Sequence, residues 1–316
     1  MSVAWGILST ARINRLVLAG ARKSERVAVV AVASRDGARA QAYAREQGIE
    51  RAYGSYEALL ADDAIEAVYI SLPNSLHVEW SIRALEAGKH VLCEKPLTQS
   101  VADAKRAFDA AERAGRHLME AFMYRHHPQT ARLAQLVEEN AVGELQRVRA
   151  AFSFTVKNPT NIRLLAELDG GALMDVGCYC VNGARLLAGE PDQVHGGQVL
   201  GPAGVDVRFA GTMRFPGDVT AQFECGLDLP FRDELEVSGS DGSLFLDDPW
   251  HCRSPLIELR RNGETERIEI EPADSYQLEL ENLSDAIRGE GTPLLGRDDA
   301  LGQARTIEAL YRSSAA

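Results

Sequence analysis

One short stretch of the sequence places an acid and a base side by side where a buried strand should end. In KHVLCEKPLT the apolar run stops at Glu94, Lys95 comes next and Pro96 follows at once. A lysine ammonium can donate hydrogen bonds to an oxygen that becomes negatively charged, and it stabilises that charge. Lys95 is therefore a candidate for chemistry, with Glu94 as a supporting group and Pro96 as the rigid bend that aims its neighbour.

A second stretch, GGALMDVGCYC, carries an acid and a phenol four residues apart. Asp175 and Tyr179 would lie on one face of a helix, because residues i and i+4 are neighbours on a helix surface. A tyrosine can exchange a proton with a bound hydroxyl group if a nearby cation lowers its pKa from the ordinary value of ~10. Asp175 could instead cap the helix N-terminus, since Gly170 and Gly171 precede it.

Composition limits the classes of protein to consider. The 316 residues carry a formal net charge of -12, which repels a phosphate backbone and argues against a nucleic-acid partner. A run of ~18 apolar residues, which would indicate a membrane span, does not occur, and the N-terminus lacks the pattern of a secretion signal, so we expect a cytoplasmic protein. The five cysteines have no C-x-x-C spacing, and the adjacent His126 and His127 diverge; we expect buried thiols and no metal site.

The first 121 residues alternate short β-branched runs with alanine-rich segments of helical period. The predicted strands are 3–8, 26–33, 67–71, 90–93 and 117–120, and the predicted helices cover about 12–22, 36–47, 55–61, 76–87 and 100–114. This alternation predicts an α/β domain over residues 1–121, built on a doubly wound parallel sheet with helices on both faces.

Residues 122–316 follow a different pattern. A helix near 128–139 precedes long alternating segments, at about 144–156, 205–215, 218–226, 232–239 and 256–270, with a hairpin turn at 238–242. One helix, at about 172–187, interrupts them, and on it Asn182 shares the stripe of Asp175 and Tyr179 outside the core. Helices near 275–288 and 298–313 close the chain and are expected to pack back across the domain boundary. The pattern predicts a second α/β domain with an open, mostly antiparallel sheet.

In a doubly wound fold a dinucleotide lies along the carboxyl ends of the strands, with its pyrophosphate at a helix N-terminus. The first turn of this chain reads GILSTARIN, and other residues replace every glycine of the G-x-G-x-x-G frame, at Ser9, Ala11 and Asn14. Their side chains are small enough to let the backbone approach a ligand. The predicted cofactor contacts in this turn are Ser9, Thr10, Ala11, Arg12 and Ile13.

The end of the second strand indicates which dinucleotide is preferred. It reads AVASRDGAR, so Ser34 and Arg35 stand where an acidic residue would bind the ribose 2′-hydroxyl of NAD. A hydroxyl and a guanidinium suit the 2′-phosphate of NADP, so we expect NADP(H) to be preferred, with NAD(H) possible. Asp36 weakens this expectation, and Arg35 could alternatively be a solvated loop residue.

A third strand end adds further candidate contacts to the cofactor. YISLPNSLHVEW places Leu72, Pro73 and Asn74 after the strand and His77 in the first turn of the next helix. The alternative is that Pro73 and Asn74 only start a helix and that His77 lies at the surface.

Taken together, PNSLH, EKPLT with EAFMYRHHP, and GGALMDVGCYCVNGARLL resemble the Gfo/Idh/MocA family of nicotinamide-dependent oxidoreductases over essentially the whole chain. The resemblance implies an N-terminal Rossmann domain and a C-terminal α/β domain whose sheet often forms a dimer or tetramer. It implies that Lys95, followed by a cis bond to Pro96, lies by the nicotinamide, and that Asp175 and Tyr179 line the substrate side. Tyr179 stands where many members carry histidine. A tyrosine at this position resembles the branch of dimeric dihydrodiol dehydrogenases and NADP-dependent D-xylose dehydrogenases.

These observations predict an NADP(H)-dependent oxidoreductase that moves a hydride between nicotinamide and a hydroxyl-bearing or carbonyl carbon of a sugar or cyclic vicinal diol. Tyr179 would be the acid/base, Lys95 its electrostatic partner and Asp175 an orienting group. The alternatives are a keto-sugar reductase of a biosynthetic pathway and a non-catalytic NADP-binding redox sensor. A homodimer or homotetramer through the C-terminal sheet is expected.

Four more residues have a weaker claim to the substrate. Arg125 follows the last strand of the first domain, and Asn161 and Arg163 lie on a loop before the glycine pair, where Arg163 could bind hydroxyls or tie the loop down. Tyr276 resembles a tyrosine that some family members bring to the site, but it could equally be an interface residue.

Overall fold

The computed structural model describes residues 1–314 and divides them into two compact units. The first comprises Met1–Met123 and Asp274–Leu301, and the second comprises Tyr124–Ala273 and the described residues from Gly302 onward. Within residues 1–314, none of the helices has the length and apolar character needed to cross a membrane.

The first unit is built on a six-stranded parallel sheet, which confirms the predicted fold class. Its strands are β1 (Val3–Leu8), β2 (Val27–Ala33), β3 (Arg51–Tyr53), β4 (Ala67–Ile70), β5 (His90–Glu94) and β6 (Leu118–Ala121), in the order β3-β2-β1-β4-β5-β6. The helices between them are α1 (Asn14–Ala21), α2 (Gly37–Gln47), α3 (Tyr56–Leu60), α4 (His77–Glu86) and α5 (Val101–Ala114). The central strands are apolar and buried on both faces, as helices packed on each side of a parallel sheet require.

Local capping explains why most of these helices begin where the sequence predicts. Asp36, Ser55 and Ser100 each accept hydrogen bonds from backbone N–H groups in the first turn of the helix that follows. Strand β3 was not predicted, because three residues are too few to show a periodic pattern.

The second unit is built on an eight-stranded sheet that is mostly antiparallel, as predicted. Its elements are α6 (Pro128–Glu138), β7 (Leu145–Thr155), α7 (Cys178–Ala188), β8 (Gln193–Leu200), β9 (Asp206–Arg214), β10 (Thr220–Gly226), β11 (Asp228–Gly239), β12 (Ser243–Asp247), β13 (Leu256–Arg261) and β14 (Glu264–Glu269). The order is β14-β13-β12-β11-β7-β10-β9-β8, and β7 and β10 pair in parallel. Along β9 and β10 buried side chains alternate with exposed ones, so this sheet has a packed face and an open face.

Three sequence predictions in this unit need correction. The segment 256–270 is two strands, because Asn262 and Gly263 both adopt positive φ and form a two-residue hairpin turn. Strand β8 was missed, since its glycines and polar residues hide the alternation. The helix predicted from 172 begins with the π-helical segment Leu173–Gly177 and becomes α-helical only at Cys178.

Two helices near the C-terminus complete the chain. Helix α8 (Ser275–Arg288) belongs to the first unit and packs against α1 so closely that a Cβ on Gly20 would lie 2.6 Å from the Gln277 backbone nitrogen. Helix α9 (Arg297–Ser314) contributes its first residues to the first unit and the remainder to the second.

Candidate active site

The first unit presents a cofactor-type edge where its strand order changes direction. Strand β1 is flanked by β2 on one side and β4 on the other, so the chain connections leave a crevice at the carboxyl ends of these strands. Hydrogen bonds cross it: Ser9 and Ser71 share one between their hydroxyl oxygens (2.8 Å), and Ser71 donates to the Asn14 Oδ1 atom (2.6 Å). Asn14 in turn donates to the Ser9 carbonyl oxygen (3.0 Å).

Ser9 occupies a backbone conformation that glycine normally adopts, with φ 134°. Its hydroxyl group accepts a hydrogen bond from the Ala11 N–H (3.1 Å), which holds the turn in place. Sequence reasoning treated Asn14 only as a small replacement for glycine, but Asn14 is fully buried and ties the turn together. The sequence contained one signal for this role: Asn14 carries a hydrogen-bonding amide at the third position of the G-x-G-x-x-G frame.

The N-terminus of α1 is suited to bind an anion. No side chain caps it at Ile13, and its first turn contains no acidic residue. The N–H groups of Asn14, Arg15 and Leu16 donate to backbone carbonyl oxygens of the preceding turn. The positive end of the helix dipole, with no carboxylate beside it, still favours a phosphate at this end. Thr10, Ala11 and Arg12 lie directly before this end, and Arg12 is exposed.

Just after the end of β2, the acidic residue Asp36 caps the next helix. The Asp36 carboxylate accepts hydrogen bonds from the N–H groups of Ala38 (2.9 Å) and Arg39 (3.2 Å), and so caps α2. The hydroxyl of Ser34, which is buried, accepts from the Asp36 N–H, while Arg35 is exposed. Asp36 thus has a structural role through one carboxylate oxygen, and the exposed Arg35 guanidinium lies next to it at this edge.

A concavity of about 260 Å³ lies beside the first turn. It is lined by Thr10, Ala11, Arg12, Arg15, Arg39, Ala42, Tyr43 and Glu46. The sequence analysis missed Arg39, which lies in the first turn of α2 and lines this concavity together with Arg12 and Arg15.

Three side chains hold the loop that carries Lys95. Tyr69 donates a hydrogen bond to the Glu94 carboxylate. The Leu97 N–H donates to the buried Glu120 carboxylate (2.7 Å), and His77 Nδ1 lies 2.9 Å from the Pro96 carbonyl oxygen. The bond before Pro96 is cis, as the resemblance implied.

His77 is buried instead of facing the surface. Its second ring nitrogen lies 2.8 Å from the Leu72 carbonyl oxygen, so both nitrogens face the backbone of the β4 and β5 loops. Burial lowers the pKa of His77. His77 therefore ties these two loops together, while Pro73 and Asn74 lie half-buried at the carboxyl end of β4.

An acidic cluster lies behind the same loop. Burial raises the pKa of Tyr276, and the negative charge of Glu94 adds to the effect. Glu279, one turn later on α8, is fully buried, and burial raises its pKa well above the usual range. The structure thus brings Tyr276 to the Glu94 side of the first unit, together with Tyr69 and Glu279, which sequence reasoning did not identify.

In the second unit the π-helical segment is capped by a distant carboxylate. Asp206, at the start of β9, accepts a hydrogen bond from the Leu173 N–H (2.7 Å) and another from the Tyr311 hydroxyl (2.9 Å). A Cβ at Gly171, which has φ 129°, would lie 2.2 Å from an Asp206 oxygen, so glycine is needed there. The cap is therefore Asp206 and not Asp175.

Asp175 is instead paired with Arg163, whose Nε donates to its carboxylate (2.6 Å). Asn161 accepts from the Arg163 N–H (3.1 Å) and starts a short 3-10 turn, Ile162–Leu164. Arg163 thus anchors the loop on Asp175, which was one of the two roles expected for it.

Tyr179 lies in a cluster of aromatic rings and is 8% exposed. Its ring centroid lies 5.4 Å from that of Phe152, 5.7 Å from Tyr124 and 6.1 Å from Trp250. The expectation that Asn182 lies outside the core was wrong: Asn182 is fully buried and accepts hydrogen bonds from Tyr124 (2.6 Å) and Arg125 (3.0 Å).

One group among the described residues has the spacing of metal ligands, namely Asp233, Asp248 and His251. These side chains already have partners within the protein: His251 Nδ1 contacts the Asp233 carboxylate, and Arg253 Nη2 lies 2.7 Å from an Asp248 oxygen. The five cysteines are buried thiols, as predicted.

A parallel sheet with this strand order and an uncapped helix at its switch point defines a dinucleotide-binding protein. Residues 4–122 match the oxidoreductase family with an NAD-binding Rossmann fold, and residues 130–245 match the Gfo/Idh/MocA C-terminal domain. The chain belongs to the Gfo/Idh/MocA oxidoreductase family, as the sequence motifs indicated.

Three similar proteins illustrate the branch. D-xylose 1-dehydrogenase (NADP(+)) 2 of Haloferax volcanii is 42% identical over 98% of this chain and 97% of its own. Trans-1,2-dihydrobenzene-1,2-diol dehydrogenase of Danio rerio is 33% identical over 84% of this chain and 80% of its own. The crystal structure of KijD10, a 3-ketoreductase from Actinomadura kijaniata in complex with NADP and TDP-benzene, has a TM-score of 0.93 and 31% identity, covering 99% of this chain and 98% of that chain.

The Asp206 cap predicts a pH-dependent stability. Burial raises the pKa of Asp206 to about 6, against the opposing hydrogen bonds from Leu173 and Tyr311. Because the pKa is higher in the folded state than in the unfolded state, its contribution is largest below about pH 4 and is lost as pH rises through about 6. We expect the urea-unfolding free energy of the wild type, relative to Asp206→Asn, to fall by about 3 kcal/mol over this range and then level off. A difference that stays constant from pH 4 to 8 would contradict this role.

Proposed function

We propose that this protein is an NADP(H)-dependent dehydrogenase or reductase that transfers a hydride between nicotinamide and a CH–OH or carbonyl carbon of a sugar or cyclic vicinal diol. The observation that carries the proposal is the carboxyl edge of the first sheet, where both the α1 N-terminus, which no side chain caps, and the loop that carries Lys95 lie. The D-xylose and dihydrodiol relatives support this substrate class.

The residues at this edge suit NADP(H). The α1 N-terminus would hold the pyrophosphate, and Ser34 with Arg35 would hold the 2′-phosphate, since Asp36 is engaged in capping α2. Arg39 adds positive charge on the same side. The bound dinucleotide supplies or takes up the hydride. The loop that carries Lys95 follows β5, which lies three strands away from β2, on the other side of β1.

Residues of the protein would transfer the proton to or from the substrate oxygen and stabilise the negative charge on it. Tyr179 would give a proton to that oxygen during reduction or remove it during oxidation. The Lys95 ammonium would donate a hydrogen bond to the same oxygen and stabilise its negative charge. Asp175, held by Arg163, would orient a second hydroxyl of the substrate. The proposal requires Lys95 and Tyr179 to act on one substrate oxygen.

Removing either proposed catalytic group should slow turnover. We expect Lys95→Met and Tyr179→Phe each to lower kcat by about 10²-fold or more, because general acid/base and oxyanion contributions are of this size. NADPH affinity, followed by fluorescence titration, should stay within a few-fold. Turnover is measured at 340 nm with pentoses, hexoses and dihydrodiols in both directions.

Matched variants separate loss of chemistry from loss of structure. Tyr53→Phe removes a tyrosine hydroxyl that binds Asp62, and Lys105→Met removes an exposed lysine paired with Asp109. Both should keep near-wild-type kcat. Full turnover in Lys95→Met and Tyr179→Phe would refute the mechanism, and NADPH binding without turnover of any substrate would favour a redox sensor.

Cofactor preference should depend on Arg35. A hydrogen bond to a charged group contributes about 1.5–3 kcal/mol, so Arg35→Ala should weaken NADPH binding by about 10-fold or more and leave NADH binding nearly unchanged. Arg22→Ala, which removes a surface arginine bonded to the Gln47 carbonyl, is the control. Equal losses for both dinucleotides in Arg35→Ala would show that Arg35 does not bind the 2′-phosphate.

The open face of the second sheet is proposed to pair with a second copy of the chain. It forms a shallow concavity of about 700 Å³, whose lining includes three arginines (149, 232 and 260) and three glutamates (224, 234 and 236). Arg149 pairs with Glu236, and Arg232 pairs with Glu224 and Glu234, so this face can meet an identical face about a two-fold axis without a net repulsion between like charges. Ala210→Arg, on this face, should convert the dimer to a monomer in sedimentation velocity, whereas Thr265→Arg on β14 should not. A monomeric wild type would contradict the proposal.

A further inference from the structure

A chain of buried polar groups runs behind Tyr179 in the second unit. Asn182, one turn further along α7, is fully buried, and its Oδ1 accepts from the Tyr124 hydroxyl (2.6 Å) and from Arg125 Nη1 (3.0 Å). The Tyr124 ring lies 5.7 Å from the Tyr179 ring. One carboxamide oxygen therefore fixes both a neighbour of Tyr179 and the Arg125 guanidinium.

The amide group of Asn182 continues the chain to helix α9. Its Nδ2 donates to Gln303 Oε1 (3.4 Å), and the same oxygen accepts from Arg185 Nη1 (3.1 Å). Gln303 Nε2 donates to the Cys178 carbonyl oxygen (2.8 Å), directly before Tyr179 in the chain. Gln303 is 1% exposed, so each of these bonds is shielded from water.

Arg185 anchors the far end of this chain. Its side chain is 4% exposed and pairs with Glu190. A Cβ at Gly302 would lie 2.1 Å from Arg185 Nη2 and 2.4 Å from a Glu190 oxygen, so glycine leaves the room that the ion pair occupies. Gly302, which directly precedes Gln303, therefore leaves space for the Arg185 guanidinium that donates to Gln303.

We propose that Gln303 and Asn182 are positioning residues that orient Arg125 and the Tyr124–Tyr179 ring pair for the substrate. This rests on the proposed function, in which Tyr179 exchanges the proton, and adds to it the substrate contact that the sequence predicts for Arg125. The orientation of Asn182 follows from Gln303: with the Asn182 amide nitrogen bound to Gln303, its oxygen must face Tyr124 and Arg125, which both donate. Helix α9, which carries Gln303, would in this way set the geometry of the residues around Tyr179.

The test replaces Gln303 by an apolar side chain of similar length. Gln303→Met should lower kcat/KM for the sugar or diol by about 10-fold, because misplaced binding groups lose transition-state contacts, while the Kd for NADPH changes less than 2-fold. Thr306→Val is the matched control, since it deletes another buried hydrogen bond on the same helix, from Thr306 to the Gly302 carbonyl. Thr306→Val should keep wild-type kcat/KM.

A double-mutant cycle separates positioning from general destabilisation. If Gln303 acts through Arg125, the loss in Gln303→Met combined with Arg125→Met should be smaller than the product of the two single losses. Losses that multiply, or a Gln303→Met variant that behaves as Thr306→Val does, would overturn the proposal.

A measurement without turnover distinguishes this proposal from the proposed function. Hydrogen exchange of the apoprotein should accelerate in Gln303→Met over residues 178–188, and not in Thr306→Val. If the wild type turns over none of the substrates, the proposed function fails, and the exchange data alone decide whether Gln303 holds α7. Equal exchange in the two variants then overturns the positioning role as well.

Discussion

The second unit depends on a buried carboxylate that completes a helix N-terminus. Asp206 accepts the Leu173 N–H in the first turn of the segment that carries Asp175 and Tyr179, and Tyr311 satisfies its other oxygen. A buried carboxylate is costly unless hydrogen bonds compensate for lost water, so the surrounding chain must match it closely. Gly171 provides the space, and the change from π-helix to α-helix at Cys178 falls between Asp175 and Tyr179.

In the first unit, too, a buried polar side chain is matched by hydrogen-bonding partners, and here that side chain is a histidine. His77 is buried between two backbone carbonyl oxygens, those of Leu72 and Pro96, and so joins the loops after β4 and β5. Tyr69 and Glu120 hold the residues on either side of Lys95 and Pro96. Lys95 is thus carried by a braced loop, which suits a group that must meet a reacting oxygen with little reorganisation.

Most strands and helices could be predicted because their signals are local. Apolar periodicity located β1, β2, β4, β5 and β6, and Asp36, Ser55 and Ser100 marked helix starts by capping them. The errors also have physical causes. Strand β3 is too short for a period to appear, and an Asn-Gly turn divides one long alternating segment into β13 and β14.

The sequence alone was sufficient to predict the parallel and antiparallel sheets, the family, and Lys95, Asp175 and Tyr179 as the candidates for chemistry. These conclusions rest on residue types and spacings that act over a few positions. Only the tertiary structure decided which buried groups hold those residues. Asn14 meets Ser71, Leu173 meets Asp206, and Asn182 meets Gln303 across 57, 33 and 121 residues of chain. Such pairings leave no local pattern, because a buried hydrogen bond depends on where folding places its partner.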